Sequence, residues 1–96
     1  MGRDDVIRQL KVNLNRFSEF KIKSLAIFGS VARDEAKPNS DVDILVEFEG
    51  PATFDLYMEL KLFLEDLLGR PVDLVTRKGV RPELAPYVEQ EARRVA

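Results

Sequence analysis

The sequence predicts an α/β (α+β) domain in the order α-β-α-β-α-β plus a C-terminal helix, with a mixed three-stranded sheet backed by helices. Three observations carry that reading. Short apolar runs at 24–28, 42–48 and 72–76 have the length of strands. Stretches with apolar residues at helical spacing lie around and between them. The stretch at 54–68 is long enough for a right-handed crossover, which makes the second and third strands parallel neighbours. At 96 residues the chain is expected to form a single domain, 1–96, near the lower end of what builds its own core.

Taken in order, residues 4–17 place Val6, Ile7, Leu10, Leu14 and Phe17 on one helical side, with Arg8, Lys11 and Asn15 on the other. Asp4 and Asp5 stand where carboxylates complement a helix start. Lys21-Ile22-Lys23 leads into a continuously apolar run, 24–28, that stops at Gly29 and reads as a buried central strand. Residues 30–33 suit a short helical turn. Residues 34–40, with Pro38, Asn39 and Ser40, suit a loop.

In the second strand, 42–48, Val42, Ile44, Val46 and Phe48 point one way. Asp41, Asp43, Leu45 and Glu47 point the other. Gly50-Pro51 ends it. Thr53 caps the next helix, 54–68, whose apolar face is broad: Phe54, Leu56, Tyr57, Leu60, Phe63, Leu64, Leu67 and Leu68. Gly69 fits its stop, with Pro71 just beyond. The third strand, 72–76, is followed by a basic turn, Arg77-Lys78-Gly79, and a last helix over 82–95.

Composition narrows the chemistry. Apolar content of 45% and charged content of 33% are those of a globular chain. There is no cysteine and no histidine, which excludes a disulfide framework, a Ser-His-Asp triad and thiolate or imidazole zinc sites. Catalysis must rest on carboxylates, Lys/Arg, Tyr, Ser or a hard metal. The net charge of −2 leaves no footprint for nucleic acid, so no direct nucleic-acid contact is expected. No apolar run approaches the roughly 20 residues of a membrane span, and the N-terminus lacks a signal-peptide core. No membrane partner and a cytoplasmic location are expected.

The residues that carry chemistry gather around 29–43. Asp41 and Asp43, two apart on a strand, put their carboxylates on one face roughly 7 Å apart along the backbone, within reach of one shared cation. Mg²⁺ takes oxygen ligands, usually one or two carboxylates plus substrate phosphates. The bland alternative is a solvated strand face, which Glu47 and Glu49 support. Asp73, on the neighbouring strand, would join them in a three-carboxylate cluster that repels unless a cation or proton neutralises it. Asp73 is also the best-placed acceptor for the proton of an attacking hydroxyl; otherwise it is an edge aspartate. Gly29-Ser30 opens a helical turn after a buried strand, which suits an anion or serves as a plain turn. Arg33 either reaches phosphates or clamps a nearby carboxylate. Arg77, Lys78 and Arg81 either line the same mouth or form a solvated basic turn.

These residues match a family. Gly29-Ser30, ten residues, then Asp41-Val42-Asp43 resembles the GS-x10-DxD motif of the DNA polymerase β-like nucleotidyltransferase superfamily. Asp73 supplies its usual third aspartate. The wording GSVARDEAKPNSDVDILVEF and the ending VDLVTRKGVRPELAPYVEQEA look like the minimal nucleotidyltransferases, the MNT-domain proteins. The likeness runs from about Ile22 to the end. One departure is Asp34, where the family often carries glycine.

The resemblance implies a nucleotidyltransferase core, an ATP co-substrate and Mg²⁺. Gly29 and Ser30 would contact the triphosphate, with Arg33 nearby. Asp41, Asp43 and Asp73 would be the catalytic, metal-holding carboxylates. It also implies a HEPN-domain toxin as partner, with AMP passed to one of its tyrosines, the chain acting as antitoxin. Two other readings stay open at this point: neutralisation of the toxin by binding alone, and nucleotidyl transfer to a small molecule or tRNA.

Overall fold

A computed structural model describes residues 2–35 and 41–95. The first helix, α1 (Arg3–Val12), starts where the Asp5 carboxylate accepts the Gly2 amide at 3.2 Å. It buries Val6 and Leu10. The expected single helix over 4–17 instead breaks at Asn13, whose side-chain amide donates to the Gln9 carbonyl at 2.8 Å. A 3-10 helix, Leu14–Phe20, continues the segment. Phe17 is still buried, meeting Phe63 edge-on at 5.6 Å.

The strands are β1 (Ile22–Phe28), β2 (Val42–Phe48) and β3 (Val72–Thr76). A two-residue fourth strand, β4 (Arg93–Arg94), completes a sheet in the order β3-β2-β1-β4. β1 runs antiparallel to β2 and to β4, while β2 and β3 are parallel, as the crossover requires. The sheet is therefore mixed as expected but, among the described residues, has four strands rather than three.

The extra strand comes from the segment read as the end of a helix over 82–95. That helix, α4, covers only Ala85–Glu91. Pro82 and Pro86 delay its start, and Ala92 turns extended (φ −63°, ψ 134°). Extended backbone lets the Val95 amide bond the Leu25 carbonyl at 2.8 Å and puts Val95 in the core.

Between β1 and β2 lies the one-turn helix α2 (Gly29–Ala32). Between β2 and β3 lies α3 (Phe54–Leu68), capped by Thr53, whose hydroxyl accepts the Leu56 amide at 3.1 Å. Gly69 ends it in the left-handed region (φ 67°). Leu60, Leu64 and Leu68 bury against Val42, Ile44, Val46, Leu74 and the α1 side chains. Each such leucine contributes about 1.5–3 kcal/mol of transfer free energy. Phe54 and Leu62 of the same helix remain exposed, at 76% and 58%.

The opposite sheet face carries Asp43, Leu45 and Glu47. A cleft of about 400 Å³ lies there between Leu45, Ala26 and the α4 residue Glu89. Arg77 bridges it, bonding Glu47 on β2 and Glu89 on α4. Among the described residues no helix is long and apolar enough to cross a membrane.

Candidate active site

The topology brings three chain segments to one end of the sheet. Phe28, the last residue of β1, pairs with Asp43 near the start of β2. Asp43 in turn pairs with Asp73 near the start of β3. Because the strands are in register, both aspartates project from the same side, close enough for the Asp73 carboxyl to act on that of Asp43. Asp41 sits just before β2, exposed, close enough to act on Asp43 through its charge.

Gly29 is the fixed point beside this pair. It has φ +70°, and a β-carbon added there would run into the Asp43 carboxylate, with the carboxyl carbon only 3.0 Å away. Only glycine allows both the backbone conformation and the approach. Val31 and Ala32 bury into the core and pin α2 down, which leaves Ser30 half-buried next to Gly29.

Burial, chiefly, pushes the Asp43 carboxyl up to about 6, and the charge and hydrogen bond of Asp73 and the charge of Asp41 add to it. Arg33 opposes the shift through its own charge. Its side chain donates to Glu35 at 3.1 Å, so it clamps a loop carboxylate while its charge still reaches Asp43. Arg77 is bound to Glu47 and Glu89, four residues up the strand from Asp43, and does not join this mouth.

A pair of carboxyl groups that cannot both ionise at low cost is suited to a cation. The donors are all oxygen, the preference of Mg²⁺. Among the described residues no three acidic side chains form a group ready to hold a metal ion. The Asp43–Asp73 pair matches instead the open arrangement in which substrate phosphates complete the shell.

Two features escaped the sequence reading. Arg3, Arg33 and Arg93 line a cleft of about 480 Å³ beside α2. Arg93 was hidden because it reaches that place only as a strand paired with Ile27. Asp34 has φ +60°, the left-handed conformation that glycine takes most readily, and its carboxylate accepts the Arg3 amide at 3.3 Å. The departure from the family's glycine thus keeps the turn and adds a tie to the start of α1. Its signal was the glycine preference itself. The turn expected at Pro38, Asn39 and Ser40 lies outside the described residues.

The model of the nucleotidyltransferase domain family matches residues 7–95. The chain belongs to that family. This nucleotidyltransferase is 41% identical, over 90% of its length and 83% of the relative's, to a Methanocaldococcus jannaschii protein provisionally named a protein adenylyltransferase. It is 43% identical to the protein adenylyltransferase MntA of Thermococcus cleftensis, over 75% of its length and 73% of the relative's.

Among solved structures, one provisionally described as a minimal nucleotidyltransferase superposes with a TM-score of 0.84 at 38% identity, covering 97% of this chain and 95% of that one. Two more distant ones share the fold. A toxin–antitoxin structure with AMP-PNP has a TM-score of 0.71 at 24% identity, covering 100% and 73%. A tri-AMPylated Shewanella oneidensis HEPN toxin in complex with MNT antitoxin has a TM-score of 0.62 at 22% identity, covering 88% and 70%.

Proposed function

We propose that this nucleotidyltransferase moves AMP from Mg-bound ATP to a tyrosine hydroxyl of a cognate HEPN-domain toxin and so acts as its antitoxin. The observation that carries the reading is the Asp43–Asp73 carboxyl pair, with Asp43 seated against Gly29. The names of its relatives support the protein acceptor, and the fold neighbours support the toxin partner and the adenine nucleotide.

Asp41, Asp43 and Asp73 would hold Mg²⁺. The ion, when bound, neutralises charge on the phosphates and on the departing pyrophosphate. Gly29 gives the triphosphate close access to the backbone, and Ser30 offers a hydroxyl donor. Arg33 adds positive charge on that side. The acceptor oxygen forms its bond to the α-phosphorus as the bond to pyrophosphate breaks, and a carboxylate, Asp73 by position, takes the hydroxyl proton.

The test is transfer of label from α-labelled ATP to the cognate HEPN protein. Asp41→Asn/Asp43→Asn should abolish it. Undiminished transfer in that double variant sinks the mechanism.

A second reading is neutralisation by binding alone. The exposed Phe54 and Leu62 on α3 favour it. A catalytically dead variant that still protects cells from the toxin supports this reading, whereas loss of protection in a variant that still binds favours transfer.

A further inference from the structure

Asp73 stands on an edge strand. Among the described residues β3 has β2 on one side only, so the backbone groups of Val72 and Leu74 point away from the sheet. One group of each is taken by a side chain of α3. The Glu65 carboxylate accepts the Val72 amide at 2.9 Å, and the Tyr57 hydroxyl donates to the Leu74 carbonyl. The two contacts fall on the residues immediately before and after Asp73.

Glu65 is anchored in its turn. Its carbonyl accepts the Gly69 amide at 2.8 Å, which closes the C-terminus of α3. Pro71, in the same connection, accepts the Val42 amide at 3.0 Å and ties the start of β2 to it. The helix end and the starts of both aspartate-bearing strands are thus locked into one unit.

Resting on the proposed transfer activity, we propose that Glu65 and Tyr57 are positioning residues for Asp73. They clamp the outer edge of β3 on either side of it and hold the register that keeps its carboxyl on Asp43. Neither touches the reacting atoms. A one-residue slip of β3 would turn Asp73 to the opposite sheet face. Even a small displacement would open the carboxyl pair, and misplacement by about 1 Å costs on the order of 100-fold in rate.

The experiment uses the full chain in two arms. In the first, carbon-13 NMR at pH 8, without metal or nucleotide, reads the Asp73 side-chain carboxyl. Asp43→Asn should shift that signal in the wild-type background. The shift should shrink at least by about half when Tyr57→Phe and Glu65→Ala are both present.

In the second arm, transfer from ATP to the HEPN partner is measured. Tyr57→Phe and Glu65→Ala should each lower kcat about 10-fold to 100-fold, with KM for ATP within about twofold. Glu65→Gln, which keeps an acceptor oxygen for Val72, should restore kcat.

Should Glu65→Ala fail to fold, Tyr57→Phe alone, which deletes one hydroxyl, carries both arms. An unchanged carboxyl shift in the variant background overturns the proposal. So does a Glu65→Gln variant as slow as Glu65→Ala, or a lowered Tm with kcat intact, which would reduce the contacts to sealing a strand edge. A wild-type chain that transfers no AMP sinks the proposed activity and leaves the carboxyl signal to decide the positioning.

Discussion

The carboxylate of Asp43 occupies the space that a β-carbon on Gly29 would need. Gly69 provides the matched control: its φ is +67°, but nothing lies within 4 Å of its missing β-carbon. Gly69→Ala should cost only the left-handed strain, about 1–2 kcal/mol. Gly29→Ala should cost more in urea denaturation and remove transfer activity. Equal losses at the two glycines would mean that Asp43 simply moves aside.

The Asp43 carboxyl sits at about 6 in the folded chain, raised by burial and then by Asp73 and Asp41. In the unfolded chain it falls near the ordinary value of about 3.9. Since the folded state holds this proton more tightly, stability present below about pH 4 is lost as pH rises through about 6. Asp43→Asn removes the ionisable group. The variant should therefore be more stable than wild type at pH 8 and match it at pH 4. A difference of the same size at both values would place the effect elsewhere.

Magnesium should relieve the same repulsion. At pH 8, MgCl₂ should raise the Tm of the wild-type chain and leave Asp43→Asn unmoved. An excess of 100-fold over the dissociation constant corresponds to about 2.7 kcal/mol. At pH 5 the proton competes for the site and the rise should shrink. An equal rise in wild type and variant would assign the ion to another place.

At Asp34 the backbone is left-handed and the side chain holds the Arg3 amide. Asp34→Gly relieves the first and loses the second, so stability should change by less than about 1 kcal/mol. Asp34→Ala loses the bond and keeps the strain, and should be clearly less stable than Asp34→Gly by chemical denaturation. If the two variants were equally stable, the left-handed backbone would carry no cost.

Much of this molecule was legible from local patterns. Thr53 and Gly69 announced both ends of α3, and the alternation through 42–48 set which side of β2 Asp43 occupies. The crossover length then made β2 and β3 parallel, which put Asp73 opposite Asp43. What stayed hidden depends on long-range partners. Arg93-Arg94-Val95 has no strand pattern of its own and becomes extended because β1 has a free edge and the core has room for Val95. The break at Asn13 turns on one side-chain bond competing with the helix ladder. Tyr57 read as part of an apolar face, since periodicity is blind to where a hydroxyl ends up.

The two-residue β4 has a kinetic corollary. Its pairing of Arg93 with Ile27 joins positions separated by most of the chain's length, while β1 and β2 meet across a short connection. Loop closure over such a span is slow relative to local pairing. With so few residues to hold it, this pairing should form late, open first and lose its amide protection sooner than any other part of the sheet. Each opening bares the β1 edge and withdraws Arg93 from beside α2, so the basic cleft there exists only for as long as the last strand stays docked.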